Sequence, residues 1–114
     1  MSKDYKALAG EVDARAGNLF RAAPDQMRAF RDLMGAASKD GALDAKTKEL
    51  MAIAIAVATR CEGCIVFHVR SAIKHGASRE ELADTIGVAI EMGGGPAAVY
   101  GADALAAFDQ FQAG

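Results

Sequence analysis

The chain has 114 residues, 52% of them apolar, 25% charged and 6% aromatic, and a formal net charge of −2 from 13 Lys and Arg against 15 Asp and Glu. This length predicts a single domain over residues 1–114, and the nearly balanced charge predicts no nucleic-acid partner. The composition excludes a disordered tail and a disulfide-rich mini-protein. Because 26 residues are Ala and none is Trp, a monomer would bury little side-chain volume, which predicts a homo-oligomer.

The start of the chain lacks the apolar segment of a signal peptide. The longest apolar run, Leu50 to Ala58, has nine residues, whereas a membrane span needs roughly twenty. The sequence therefore predicts a soluble, cytoplasmic protein that does not contact a membrane.

Apolar residues recur at helical spacing along nearly the whole chain, which predicts an all-α fold of about six helices. The first helix is predicted from about Lys3 to Asn18. The second begins near Pro24, since Pro suits a first helical turn, and ends near residues 39–41. Its apolar face consists of Met27, Phe30, Leu33 and Met34, and Met27 and Phe30 are expected in the core.

Asp44 is a candidate N-cap for a third helix from about Ala45 to Thr59. This helix is apolar nearly all round from Leu50 onward, which predicts a central, buried position with Met51 in the core. A fourth helix is expected from about Glu62 to His75.

Gly76 suits the end of that fourth helix. Ser78 and Glu81 then form a capping box that opens a fifth helix, which reaches about Met92. The Gly93–Pro96 segment is predicted to turn the chain into a last helix that ends near Phe111. A phosphate-binding loop is the alternative for this segment, but it lacks a suitably placed Lys, Ser or Thr.

The segment Cys61-Glu62-Gly63-Cys64 carries the reactive side chains. If the fourth helix begins there, Cys61, Cys64 and His68 share one face, and the helix N-terminus favours a thiolate. Two thiols and a base then form a redox centre. The alternative is a zinc site, which needs a fourth ligand. The remaining histidine, His75, lies two turns beyond His68, about 10 Å away, and is expected to hydrogen-bond carbonyls at the helix end.

Glu49 is the one acidic residue within the third helix. If the third and fourth helices form an antiparallel hairpin that turns near Cys61, Glu49 and His68 lie roughly one to one and a half turns apart along the axis. A buried carboxylate needs a partner, and His68 is the natural one. Glu49 is therefore predicted either to orient the base or to act as a satisfied structural acid.

These residues resemble the carboxymuconolactone decarboxylase and alkylhydroperoxidase D-like family. Its core has a Glu, a CxxC pair about a dozen residues later, and a His four residues after the second Cys, which here are Glu49, Cys61, Cys64 and His68. Residues 48–54, 68–72, 76–81 and 94–97 are also similar to the family. The resemblance covers roughly residues 24–108.

The resemblance implies an all-α fold with interlocked subunits, assembled as trimers or hexamers. It further implies a thiol peroxidase or disulfide oxidoreductase in which Cys64 is the peroxidatic thiol, Cys61 the resolving thiol, and Glu49 and His68 the proton relay. The implied partners are a hydroperoxide or disulfide substrate and a cellular dithiol reductant, with no cofactor and no metal.

One position departs from the peroxidase branch, which has a His just before the second Cys where this chain has Gly63. The relay therefore lacks one member. Two alternatives to a peroxidase stay open: a redox-sensing or scaffolding helical oligomer without turnover, and a decarboxylase-type lyase. The latter branch of the family is not built around a cysteine pair.

Overall fold

The computed structural model of the chain describes residues 3–113. These residues form six helices, with no strand among them, so the predicted all-α fold is confirmed. The two ends of the predicted domain, residues 1–2 and 114, lie outside the described residues. The helices are α1 (Tyr5–Ala22), α2 (Pro24–Ser38), α3 (Ala45–Ala58), α4 (Glu62–Lys74), α5 (Arg79–Gly93) and α6 (Gly95–Gln112).

Side-chain caps set where several helices begin. The Asp44 carboxylate accepts from the amide of Thr47 at 2.8 Å and caps α3 as predicted. Ser78 and Glu81 form the predicted capping box of α5. The first helix, by contrast, continues to Ala22 rather than Asn18, because no Gly or Pro lies between Asn18 and Pro24.

The core lies where α3 and α4 form an antiparallel hairpin against α5 and α6. Its largest fully buried side chains are Ile53, Val57, Ile65, Val66, Val69 and Leu82. Alanines fill most of the remaining core positions and allow close approach between helices: Ala9, Ala56, Ala72, Ala89, Ala97, Ala104 and Ala107. The Ala-rich composition therefore corresponds to tight helix packing rather than to a large apolar interior.

Two predictions about the core were wrong. None of residues 24–38 is buried against the rest of the described chain, and Phe30 is 54% exposed while Met27 is only half-buried. The third helix is not covered on all sides either, because Met51 and Ile55 face outward and are 47% and 61% exposed. Helical periodicity identified the apolar faces, but the rest of residues 3–113 covers them only in part.

Among residues 3–113, no helix is long and apolar enough to cross a membrane. The segment at residues 93–96 forms the predicted inter-helix turn, where Gly94 has a φ of +70° between α5 and α6.

Candidate active site

A tight turn between α3 and α4 sets the position of the cysteine pair. Arg60 adopts the left-handed conformation (φ +60°), which lets the Cys61 amide donate to the Ala56 carbonyl at 2.9 Å. This hydrogen bond closes the end of α3, as left-handed residues often do after a helix. The chain then reverses direction at once, and Cys61 becomes the N-cap of α4.

Cys61 and Cys64 are joined by a disulfide at the N-terminus of α4. The Cys64 amide donates to Sγ of Cys61 at 3.2 Å, so this sulfur caps the helix. Cys64 is exposed, whereas Cys61 is half-buried. The predicted placement of the cysteine pair at the start of the fourth helix, with Cys64 in its first turn, is confirmed. The free amides and helix dipole there favour negative charge on either sulfur.

Glu49 and His68 form a hydrogen bond between α3 and α4. Oε2 of Glu49 lies 2.7 Å from Nδ1 of His68, and Glu49 is only 5% exposed. With a proton on Nδ1 donated to the carboxylate, Nε2 becomes the basic nitrogen of the neutral ring. The predicted pairing of these two residues is confirmed, and their roles in catalysis stay predictions.

Phe67 supports the histidine ring from one side. The two ring centroids are 5.0 Å apart and the planes cross at 79°, an edge-to-face arrangement. Sequence reasoning missed this contact. Its only signal was that an aromatic residue precedes the histidine, and such a signal does not indicate how the two rings are oriented.

An open groove of about 1550 Å³ runs over the reactive residues. Cys64, His68, Ser71 and His75 line it along one face of α4. Across the groove lie apolar side chains of α1 and α2, among them Val12, Phe20, Met27, Phe30 and Met34. The dithiol and its histidine therefore share a surface that can accommodate an extended apolar molecule.

His75 lies at the far end of that groove. Its Nδ1 is 2.9 Å from the Ser71 carbonyl, which confirms the predicted hydrogen bond at the end of α4. The zinc alternative needed a fourth ligand beside the two cysteines and His68. Among the described residues, no group of three or more His, Cys, Asp or Glu side chains is arranged to hold a metal ion.

Residues 24–107 match the model of the carboxymuconolactone decarboxylase family. The chain belongs to this family. The match begins at the first residue of α2 and ends within α6, so it includes Glu49, both cysteines and His68.

Similar proteins cover most of the chain. An uncharacterised protein from Cupriavidus necator is 45% identical over 99% of this chain and 100% of its own length. The crystal structure of a carboxymuconolactone decarboxylase family protein from Legionella pneumophila has a TM-score of 0.92 and 45% identity, covering 96% of this chain and 98% of that one.

A Thermotoga maritima family member, for which involvement in an antioxidative response has been suggested, has a TM-score of 0.72 and 30% identity. The alignment covers 77% of this chain and 91% of that one.

Proposed function

We propose that this family member is a thiol-dependent peroxidase that acts through its CxxC pair and takes electrons from a dithiol. One observation carries the proposal. Oε2 of the buried Glu49 carboxylate lies 2.7 Å from Nδ1 of His68, and His68 lies one helical turn after the exposed Cys64. A thiol at a helix N-terminus with an oriented base beside it is the arrangement that activates a cysteine nucleophile. The antioxidative response suggested for the Thermotoga relative is consistent with this chemistry.

The first step consumes the hydroperoxide. In the reduced enzyme, His68 accepts the Cys64 proton directly or through a water, and Glu49 stabilises the resulting imidazolium. The Cys64 thiolate attacks the outer peroxide oxygen, so an S–O bond forms and the O–O bond breaks. The alcohol leaves with a proton from His68, and Cys64 becomes a sulfenic acid.

The second step forms the disulfide. Cys61 passes its thiol proton to His68 and its thiolate attacks the Cys64 sulfur. The S–S bond forms as the S–O bond of the sulfenic acid breaks, and the hydroxide takes the proton and leaves as water. A dithiol reductant then attacks the disulfide, is itself oxidised to a disulfide, and returns both cysteines to the thiol form. We infer that the reductant attacks Cys64, because this sulfur is exposed and because the Cys64 amide stabilises the departing Cys61 thiolate.

The glycine between the cysteines limits the relay to Glu49 and His68. A Cβ at Gly63 would lie 3.5 Å from both γ-carbons of Val12 on α1, in ordinary van der Waals contact. The first helix thus packs against the position where the peroxidase branch has a histidine. We expect His68 alone to exchange the proton with Cys64, which makes the reaction slower than in a relay with both histidines.

We also propose that the working form is a homo-oligomer. The apolar face of α2 has Leu33 64% and Phe30 54% exposed, although residues 24–38 form a regular helix. An isolated helix of this length is marginal in water, and exposed apolar faces of this kind commonly mark protein interfaces. A second copy of the chain that packs on α2 would bury these exposed apolar side chains.

The function is tested by steady-state consumption of several hydroperoxides in the presence of several dithiol donors. We expect turnover in the wild type, none in Cys64→Ser, and at most one peroxide per subunit in Cys61→Ser. Full activity in both single variants would refute the proposal. A dithiol that oxidises reversibly in the wild type without any turnover would instead favour the redox-sensing alternative.

A further inference from the structure

The segment before α1 is held in place by α6. The side chain of Gln110 accepts from the Tyr5 amide at 2.7 Å and donates to the Lys3 carbonyl at 2.8 Å. Tyr5 is 4% exposed, and its hydroxyl donates to Asp103 at 2.8 Å. Three hydrogen bonds and one buried ring therefore fix the backbone that carries the Lys3 side chain.

From this position Lys3 reaches the cysteine pair. Its ammonium group forms an ion pair with the carboxylate of Glu62, the residue that follows Cys61. The pKa of Lys3 is raised above its ordinary value, mainly because of its hydrogen bond to Glu62. The Lys3 side chain is thus linked to Glu62, 59 positions away in the sequence and between the two cysteines.

Glu62 is a negative charge that stands between the two cysteines in the sequence. In the first turn of α4 the carboxylate interacts favourably with the helix dipole. In the sequence it directly follows Cys61 and comes two residues before Cys64, and a nearby negative charge disfavours a thiolate. A cation paired with Glu62 offsets that repulsion.

We propose that Lys3 is a positioning residue of the dithiol site, which neutralises Glu62 and so favours the thiolate form of Cys64. The inference rests on the proposed thiol chemistry. Other charged groups lie around this region: Glu49 from α3, His68 from α4 and Asp103 from α6. None of these three changes in the variants described below.

The test measures the pKa and the alkylation rate of the Cys64 thiol and requires no peroxide. In a Cys61→Ser background, the alkylation rate of Cys64 by iodoacetamide is followed from pH 5 to pH 10, and its midpoint gives the thiol pKa. We expect Lys3→Gln to raise this pKa and to slow alkylation at pH 7 about two- to threefold, the effect of one unit charge several ångströms away in water. Lys3→Arg keeps the charge and should restore the rate.

Two further variants separate charge from structure. Glu62→Gln removes the repulsion and should speed alkylation by a similar factor. Lys6→Gln removes the same charge from an exposed position on α1 and serves as the matched control, with no expected change. The difference between Lys3→Gln and its parent should also shrink when ionic strength rises from 0.02 to 0.5 M, about the range in which screening becomes strong.

An unchanged thiol pKa in Lys3→Gln, or an equal change in Lys6→Gln, would overturn the inference. The outcome is distinguishable from failure of the proposed function. A protein without peroxidase turnover that still shows the expected thiol shifts would refute the peroxidase and retain the role of Lys3.

Discussion

The carboxylate of Glu49 and the imidazole of His68 meet across the α3–α4 hairpin, with Oε2 and Nδ1 2.7 Å apart. Each residue needs the other for a different reason. Glu49 is almost fully buried and requires a hydrogen-bond donor, whereas His68 requires a fixed ring orientation to act as a base. We therefore expect activity and stability to depend on the same contact, and two variants separate these effects.

Glu49→Gln should lower peroxide turnover about 100-fold while leaving the fold intact. The glutamine has the same size and its carbonyl still accepts from Nδ1, but it no longer stabilises the imidazolium that forms when Cys64 loses its proton. The measurement is kcat/KM for one hydroperoxide, with thermal unfolding as the check on folding. Glu80→Gln, an exposed change on α5, is the control. Wild-type activity in Glu49→Gln would exclude the relay.

His68→Ala should destabilise the protein by about 1–3 kcal/mol, because the buried Glu49 carboxylate loses its donor. Urea unfolding measures this loss. The double variant Glu49→Met/His68→Leu should recover most of the stability lost in His68→Ala, because an apolar pair leaves no uncompensated charge. A double variant as unstable as His68→Ala would show that the carboxylate is not the cause.

Close packing between α5 and α6 predicts opposite effects at two glycines. A Cβ on the buried Gly101 would lie 2.5 Å from Cγ2 of Ile86, so Gly101→Ala should cost about 1–3 kcal/mol. For Gly87 on α5, residues 3–113 place no neighbouring atom within 4 Å of such a Cβ. Gly87→Ala should therefore stabilise the helix by about 0.5–1 kcal/mol. Chemical denaturation of both variants provides the comparison, and a neutral Gly101→Ala would contradict the tight packing.

The exposed face of α2 predicts an interface that a single charge disrupts. Leu33→Asp should raise the subunit dissociation constant about tenfold or more, because burial of a carboxylate in an apolar contact is costly. Arg28→Asp introduces a carboxylate on the opposite face of α2, five residues before Leu33 and at an exposed position, and should leave assembly unchanged. Light scattering over a concentration series measures both. A wild-type protein that stays monomeric at high concentration would refute the proposed oligomer.

The sequence predicted the features that depend on local signals. The caps at Asp44 and Ser78 follow from the hydrogen bonds that those side chains can make within one turn. The Glu49–His68 pair followed from the length of the hairpin and from the cost of a buried carboxylate.

Long-range contacts and covered faces could not be predicted in this way. Met51 and Phe30 lie on apolar faces, but periodicity does not indicate whether another part of the same chain covers a face. The ion pair of Lys3 with Glu62 depends on how α1 and α6 pack, and no local pattern at either residue indicates it. The edge-on contact of Phe67 with His68 likewise depends on the side-chain rotamers of the folded state.

The most direct test of the proposed chemistry is a single-turnover experiment on reduced Cys61→Ser. One equivalent of an organic hydroperoxide is added, and intact-mass spectrometry with a sulfenic-acid-specific trap follows the product. We expect one oxygen atom per subunit, located on Cys64, with formation at least ten times slower when Glu49→Gln is also present. Absence of a Cys64 sulfenic acid, or formation at the same rate without the Glu49 carboxylate, would contradict a Cys64 peroxidase activated by Glu49 and His68.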